Sequence, residues 1–221
     1  MAPNSQDAYK QAFLDLALDS GVLRFGEFTL KSGRVSPYFF NLGLITRGAA
    51  MAQLGRLYAQ ALVASVIGFD MLFGPAYKGI PLVTSVAIAL ANLPANEGGR
   101  DLPYAYNRKE AKDHGEGGRL VGAAPAGRVV IVDDVMTAGT AVRESLDLLR
   151  AAGATPTAVL IALDRQERGQ QGRSAVQDME AEGIRVISLV TLADVITLLG
   201  ARGGHADALA RIERYREDYG V

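Results

Sequence analysis

Residues 129–145 read VVIVDDVMTAGTAVRES, an apolar run that ends on two adjacent aspartates followed by a turn of small residues. The continuous β-branched run over residues 129–132 is typical of a strand that is buried on both faces of a parallel sheet. Asp133 and Asp134 therefore mark the carboxyl end of that strand, which is where open α/β sheets place their ligands. Val142, Leu146 and Leu149 recur at helical spacing, which predicts a tight turn over residues 137–140 and a helix over residues 141–150.

A strand, an acidic pair and a helix amino end together favour one kind of ligand. The turn collects free amide donors at the positive end of the helix dipole, an arrangement that suits a phosphate. The two carboxylates can accept hydrogen bonds from a diol, so the combination fits a ribose 5-phosphate. The same residues also fit ordinary turn and cap roles. A Walker loop and a Rossmann fingerprint are excluded, because neither glycine pattern is present.

The segment VVIVDDVMTAGTA, residues 129–141, resembles the phosphoribosyl pyrophosphate (PRPP) binding signature of the type I phosphoribosyltransferases. The resemblance implies that the acidic pair holds the ribose hydroxyls and that the turn holds the 5-phosphate. The PRPP contacts implied in this segment are Asp133, Asp134, Val135, Met136, Thr137, Ala138, Gly139, Thr140 and Ala141. The implied fold is the α/β fold of that family, with a central, mostly parallel sheet flanked by helices and a small N-terminal hood.

The bulk composition fits a single domain of 221 residues. Within it, the resemblance implies a hood over about residues 1–45 and a core over about residues 46–221. The chain is 49% hydrophobic, and its mean hydropathy is +0.12. A net charge of −1 gives no general attraction to nucleic acid or to an anionic membrane. Cysteine is absent, which excludes disulfides and thiolate metal sites. No apolar run is long enough to span a bilayer or resembles a signal peptide, so we expect a cytoplasmic protein.

Apolar periodicity predicts alternating helices and strands along the chain. Helices are predicted over residues 6–19, 47–66, 79–91, 141–150 and 174–182, with two more closing the chain. Strands are predicted as a pair within residues 25–41, near Met71 and Tyr104, and over residues 129–132, 156–163 and 185–189. This alternation predicts a parallel sheet with right-handed crossovers. Glycine-rich stretches around Gly98 and over residues 115–118 are predicted to be mobile loops within the domain.

GPAYKG, residues 74–79, follows a predicted strand and opens a predicted helix, so it is a second small-residue loop at the ligand edge. Gly74 and Gly79 permit a close approach of the backbone, and Lys78 adds a positive charge suited to a diphosphate. A tight turn with a solvent-exposed lysine is the alternative. The family resemblance implies the pyrophosphate loop, with Tyr77 and Lys78 contacting the ligand.

YNRKEAKDHGEGG, residues 106–118, concentrates Arg108, Lys109, Lys112 and His114 before a run of glycines. With few apolar residues to anchor it, the segment is predicted to be an exposed, mobile loop, and an ordinary solvated loop would have the same composition. A basic loop hinged by glycines also suits a lid that closes over a polyphosphate and neutralises a departing diphosphate. In that role all four basic residues contact PRPP. Lys112 and His114 are then candidate catalytic residues, alongside the acidic pair.

Two further segments bear on the substrate. FTLKSGRVSPYFFN, residues 28–41, reads as a basic turn before an aromatic strand, and core packing is the simpler role for Phe39 and Phe40. It resembles the hood of the orotate phosphoribosyltransferases, and LDRQERG, residues 163–169, matches the same family. The orotate contacts that this implies are Lys31, the backbone at Phe39 and Phe40, Thr137 and Arg165. A guanidinium suits the carboxylate of orotate, although Arg165 could instead form a surface ion pair.

The resemblance implies a reaction of orotate with PRPP that gives orotidine 5′-phosphate and diphosphate, the penultimate step to UMP. It also implies Mg²⁺ held mainly by the substrate, and a homodimer whose mobile loop reaches the neighbouring site. Two alternatives stay open. One is a phosphoribosyltransferase for another base, such as a purine, and the other is a regulator that senses PRPP and binds nucleic acid, for which the charge of this chain offers no basic face.

Overall fold

The structure is a computed structural model, and it describes residues 5–30, 33–112, 118–137, 139–169 and 172–221. The strands are β1 Leu23–Thr29, β2 Val35–Phe40, β3 Met71–Gly74, β4 Tyr104–Lys112, β5 Gly118–Gly122, β6 Arg128–Val132, β7 Thr155–Asp164 and β8 Arg185–Thr191. The helices are α1 Ser5–Asp19, α2 Gly48–Ala64, α3 Gly79–Asn92, α4 Thr140–Ala151, α5 Ala175–Ala181, α6 Leu192–Arg202 and α7 Ala206–Tyr219. Each predicted helix and strand is confirmed, with ends shifted by a few residues.

The central sheet has six strands in the order β5-β4-β3-β6-β7-β8. All neighbours are parallel except β5, which runs antiparallel to β4 at one edge. The chain moves outward from β3 to β4 on one side and from β6 through β7 to β8 on the other, so the direction of winding reverses between β3 and β6. In open α/β sheets this switch point opens a crevice at the carboxyl ends of the strands, where ligands bind.

Helices cover both faces of the sheet, as predicted. Val130 and Val132 point into the larger apolar cluster, which α1, α2, α3, α6 and α7 help to form. Val129 and Ile131 point the other way, into a second cluster that contains Leu146 of α4 and Met179 of α5. The four strand residues 129–132 are fully buried, which confirms that β6 is covered on both sides. This buried strand fixes the position of the acidic pair that follows it.

The segment over residues 106–118 differs from its prediction. Residues 106–112 belong to β4, which pairs antiparallel with β5 so that Asn107 lies opposite Leu120. The prediction of a loop there is wrong, and β5 was not predicted. Charged side chains gave no apolar alternation, but an edge hairpin is held by backbone hydrogen bonds and tolerates charge on both faces. Residues 113–117, which include His114, lie outside the described residues.

Strands β1 and β2 form a separate antiparallel hairpin, which corresponds to the predicted hood. Its apolar side packs on the helices around the sheet. The Phe40 ring centroid lies 6.3 Å from that of Phe13 in α1, and that of Tyr38 lies 6.2 Å from that of Tyr215 in α7. The end of β2 is thereby held next to the carboxyl edge of the sheet. Within the described residues, no helix combines the length and the apolar character needed to cross a bilayer.

Candidate active site

The acidic pair lies at the carboxyl end of β6, where the strand is still paired to β7. The backbone N–H of Asp133 donates to the Leu160 carbonyl at 3.0 Å, and the Asp134 carbonyl accepts from Ala162 at 2.9 Å. Oδ1 of Asp133 accepts from the Asp134 amide at 2.9 Å, and Oδ1 of Asp134 accepts from the Val135 amide at 2.8 Å. The turn-stabilising role considered for these acids is therefore real. It uses one oxygen of each carboxylate and leaves the second for another donor.

Burial raises the free-energy cost of ionising the two carboxyl groups of this pair. Asp133 and Asp134 are only 9% and 7% exposed. Burial, followed by the charge of Asp134, raises the pKa of Asp133 to about 7, while the Asp134 amide and Lys78 act in the opposite direction. Two adjacent buried carboxylates need hydrogen-bond donors to be stable when ionised. A ribose diol supplies two such donors.

The loop after β3 faces the acidic pair across the switch point. Lys78 Nζ lies 2.6 Å from Oδ2 of Asp134 and 3.2 Å from Oδ1 of Asn41 at the end of β2. A Cβ at Gly79 would lie 2.9 Å from the Val132 carbonyl oxygen, so glycine allows the start of α3 to pack directly on β6. The close approach predicted for this glycine thus occurs between protein elements. Lys78 is not simply a solvent-exposed lysine, because it joins the loop to the acid pair.

A cleft of about 460 Å³ brings three of the predicted segments together. It is lined by Pro75, Ala76, Asn107, Lys109, Arg119, Thr140, Ala141, Glu144 and Ser145. Asn107 of β4 accepts a hydrogen bond from the Ala76 amide at 2.8 Å, and Lys109 Nζ lies 4.9 Å from the ring centroid of Tyr77. The Ala76–Tyr77 peptide bond is cis. Nη1 of Arg108 is buried and has no hydrogen-bond partner among the described residues.

The turn between β6 and α4 presents the amino end of a helix to the same edge. Gly139, the N-cap of α4, has a left-handed φ of 70° and no side chain to cap the helix. The first amides of α4 therefore keep their hydrogen-bonding capacity and their positive partial charge. Thr137 and Thr140 are exposed, and Met136 is buried in the core. Ala138 lies outside the described residues.

The segments predicted to bind the base lie on β2 and at the end of β7. Arg165, directly after β7, forms an ion pair with Glu167, with 2.7 Å between Nη2 and Oε1. This pair is largely buried, unlike the surface ion pair considered from the sequence. Phe40 is buried in the core, whereas Phe39 is half-buried beside Phe28. The packing role is thus confirmed for the Phe40 side chain. The predicted contact between the backbone at Phe39 and Phe40 and orotate is a separate role and stays a prediction. Lys31 lies outside the described residues, as does the side chain of Lys112.

Comparison with known proteins agrees with this geometry. The family model described as "Phosphoribosyl transferase domain" matches residues 43–184. The chain is 60% identical over 214 residues to the orotate phosphoribosyltransferase of Thioalkalivibrio sulfidiphilus, an alignment that covers 96% of this chain and 99% of the relative. The chain belongs to the orotate phosphoribosyltransferase family. The orotate phosphoribosyltransferase of Salmonella newport is 58% identical over the same shares of both chains. The crystal structure of the Francisella tularensis orotate phosphoribosyltransferase, 40% identical, superposes with a TM-score of 0.83 and covers 95% of this chain and 100% of that one.

Several residues that shape the site in this orotate phosphoribosyltransferase family member were missed in the sequence. Tyr58 of α2 is buried and donates to the Asp133 carbonyl at 2.9 Å, and Asn41 accepts from Lys78. Arg119 of β5 adds a cation to the cleft, and Glu167 holds Arg165. Asn41 and Glu167 do stand inside the two segments that resemble the family, which was the one signal available. Their partners are distant in the chain, so periodicity and spacing gave no indication of them.

Proposed function

We propose that this chain transfers the ribose 5-phosphate group of PRPP to orotate, giving orotidine 5′-phosphate and diphosphate. The observation that carries the proposal is the pairing of the two loops at the switch point, where Lys78 Nζ lies 2.6 Å from Asp134. An acidic pair suited to a ribose diol and a basic loop suited to a diphosphate lie on the two sides of one crevice. PRPP carries these two groups on adjacent atoms of a single molecule.

The ribose and its phosphate fit the strand end and the turn after it. We assign the ribose hydroxyls to Asp133 and Asp134, each of which binds a backbone amide through Oδ1, while Oδ2 of Asp134 is held by Lys78. The 5-phosphate goes to the turn over residues 137–141, which includes the first amides of α4. When the diol binds Asp134, Lys78 exchanges the carboxylate for the diphosphate. The ion pair between Lys78 and Asp134 thus holds the lysine near its working position.

The basic residues around the cleft are suited to neutralise the diphosphate as it leaves. The anomeric carbon passes through a positively charged, oxocarbenium-like state, and the departing diphosphate needs its charge neutralised. We assign this role to Tyr77, Lys78, Arg108, Lys109, Lys112 and His114. The acidic pair, when ionised, stabilises positive charge on the sugar that it holds. No protein nucleophile takes part in this scheme.

We assign orotate to the space between β2 and the end of β7. The proposed contacts are Lys31, the backbone at Phe39 and Phe40, Thr137 and Arg165. Thr137 is exposed on the turn beside the acidic pair, and Arg165 lies against the ring of Tyr38, the residue before Phe39. In this assignment the base must lie within bonding reach of the anomeric carbon of a ribose held at β6. A guanidinium and an ammonium group match the anionic carboxylate of orotate.

We propose that Mg²⁺ enters with PRPP and is held mainly by the diphosphate and ribose oxygens. Among the described residues, no group of three or more His, Cys, Asp or Glu side chains could hold a metal ion. The two carboxylates at the end of β6 suit a cation that keeps several waters and shares the oxygens of its substrate. Bound in this way, Mg²⁺ supplies positive charge to the leaving diphosphate.

We further propose that the hood and the core act as one domain and that the chain works as a homodimer, with the β4–β5 hairpin reaching the neighbouring site. The support is the family resemblance and the position of that hairpin at the sheet edge. A monomer by light scattering under assay conditions would contradict the dimer. A cytoplasmic location fits two anionic substrates, and cell fractionation tests it.

Turnover with different bases tests the proposed reaction. The protein is mixed with PRPP, Mg²⁺ and orotate, and the loss of orotate absorbance is followed; parallel reactions contain adenine or hypoxanthine. We expect turnover with orotate alone. Turnover with a purine and none with orotate would support the other-base alternative. No turnover with any base, together with PRPP-dependent binding to nucleic acid, would support the regulator.

A further inference from the structure

One oxygen atom of Glu167 accepts two hydrogen bonds and also makes an ion-pair contact. Its Oε1 accepts from Nε of Arg165 at 2.8 Å and from the Tyr38 hydroxyl at 2.9 Å, and Nη2 of Arg165 lies 2.7 Å away. The side chains of Arg165 and Glu167 are only 12% and 16% exposed. A buried ion pair is stable only when its geometry is good and its remaining groups are hydrogen-bonded. This carboxylate is therefore a fixed part of the protein interior.

Tyr38 holds the same guanidinium from a second direction. The Cζ atom of Arg165 lies 4.7 Å from the centre of the Tyr38 ring, so the ring covers one face of the guanidinium. Burial is the main cause that raises the pKa of Tyr38 well above its ordinary value, which keeps the hydroxyl protonated as a donor to Glu167. Tyr38 directly precedes Phe39 in β2. The guanidinium is thus fixed along one edge by Glu167 and across one face by the hood.

The backbone around Glu167 is held by hydrogen bonds within the protein. Gln166 adopts a left-handed φ of 51°, and its amide donates to the Asp164 side chain at 2.9 Å. Its side-chain oxygen accepts from the Ala193 amide at 2.9 Å, and its carbonyl accepts from Val221 at 3.0 Å. These bonds tie the loop to the start of α6 and to the last residue of the chain. A carboxylate on such a loop is placed to orient a neighbour, because it has little freedom to move away.

We infer that Glu167 is a positioning residue that, with Tyr38, orients the guanidinium of Arg165 toward the carboxylate of orotate. This inference rests on the proposed role of Arg165. Glu167 accepts from Nε, and Nη2 of Arg165 is buried with no hydrogen-bond partner among the described residues. The N–H groups of Nη1 and Nη2 therefore remain for a ligand. The ion pair is neutral as a whole, so its contribution to orotate is a set of directed donors. Holding those donors in place removes rotamer entropy that binding would otherwise cost.

Steady-state kinetics of Glu167→Ala test the inference. We expect the KM for orotate to rise by about tenfold to a hundredfold, the usual effect of losing a hydrogen bond to a charged group. The KM for PRPP should stay near the wild-type value, because Glu167 contacts nothing assigned to PRPP. Glu167→Gln keeps an acceptor and nearly the same shape, so its effect should be smaller and equally selective for orotate. This second variant keeps the test valid if the alanine variant does not fold.

The matched control is Asp70→Asn, which breaks an ion pair to Arg128 beside the amino ends of the strands, 2.8 Å between Nη2 and Oδ1. It should leave both KM values unchanged. Equal rises in the two KM values for the Glu167 variants, or no rise in either, would overturn the inference.

A double-mutant cycle separates the failure of the inference from the failure of the proposed function. If Glu167 acts through Arg165, Glu167→Ala added to Arg165→Ala causes no further rise in the KM for orotate. Additive effects would show that Glu167 acts independently of Arg165 and would overturn the positioning role alone. If Arg165→Ala itself left the KM for orotate unchanged, the proposed orotate contact would fail, and the inference would fail with it.

Discussion

At the scale of single residues, the acidic pair places two carboxyl groups where burial disfavours their ionised form. Asp133 is the more strongly affected, with a pKa raised from the ordinary 3.8 to about 7. Ionising it in the folded protein therefore costs free energy that ionising it in the unfolded chain does not. Such a cost is typical of a functional site, because a ligand that supplies donors recovers it on binding.

Asp133→Asn should therefore stabilise the protein at alkaline pH while weakening PRPP binding. A raised folded-state pKa contributes stability at pH values below about 4, and this contribution is lost as the pH rises through about 7. The neutral amide removes that loss, so at pH 8 the free energy of unfolding of the variant should be larger by on the order of 1–3 kcal/mol. The variant should accordingly unfold at a higher temperature at pH 8. The gain should shrink as the pH falls toward 4. Thermal unfolding from pH 4 to 8 measures it, and a variant less stable than wild type at pH 8 would contradict it.

Residues whose role depends on their chain neighbours could be predicted, whereas residues selected by the fold could not. Asp133 and Asp134 follow a buried strand, and each binds the next amide, so position in the sequence was enough to indicate their role. Tyr58 binds the backbone of Asp133 from 75 residues away, and Tyr38 meets Glu167 across 129 residues. Nothing local in the sequence encodes those pairings. They depend on how α2 and the hood pack on the sheet.

At the scale of elements, the β4–β5 hairpin carries the basic residues to the cleft. Lys109 on β4 and Arg119 on β5 line the same cleft as the start of α4. Asn107 also ties β4 to the loop after β3, with 2.8 Å to the Ala76 amide. The hairpin therefore connects the pyrophosphate loop to the predicted lid. Its charged side chains serve the ligand, and its backbone pairing provides the structure.

Lys112→Ala should lower kcat far more than it weakens PRPP binding. Lys112 is the last residue of β4, and a cation there would act on charge that develops as the diphosphate leaves. We expect kcat to fall by about a hundredfold or more, with only a small change in the Kd of PRPP. Steady-state kinetics and calorimetry measure the two quantities. Arg214→Ala, which removes an exposed cation from α7, is the control and should change neither. Normal turnover in the lysine variant would show that the lid assignment is wrong.

The elements with clear apolar periodicity were predicted well. The helix after the acidic pair was found from Val142, Leu146 and Leu149, which are all buried on one side of α4. The β5 strand and the extension of β4 were missed, since glycine and charge dominate there. Their stability comes from backbone hydrogen bonds between the strands, which cannot be predicted from side-chain patterns.

At the scale of the whole molecule, the strand order decides where function is located. Reversal of the winding between β3 and β6 opens the crevice, and the loops after those two strands carry two of the three segments assigned to PRPP. The sequence indicated the carboxyl edge but not which strands are neighbours, because strand order is a property of long-range packing. The chain has a net charge of −1, so the cations needed for PRPP are a local concentration made by the fold.

The central claim, that the end of β6 binds the ribose diol, is tested most directly by ligand discrimination. Calorimetry would measure the Kd of orotidine 5′-phosphate and of its 2′,3′-dideoxy analogue, for the wild-type chain and for Asp133→Asn/Asp134→Asn. The wild-type chain should strongly prefer the ribonucleotide, and the double variant should lose at least about tenfold of that preference, since neutral acceptors replace charged ones. An unchanged preference in the double variant would contradict the account, because the diol would then be bound elsewhere.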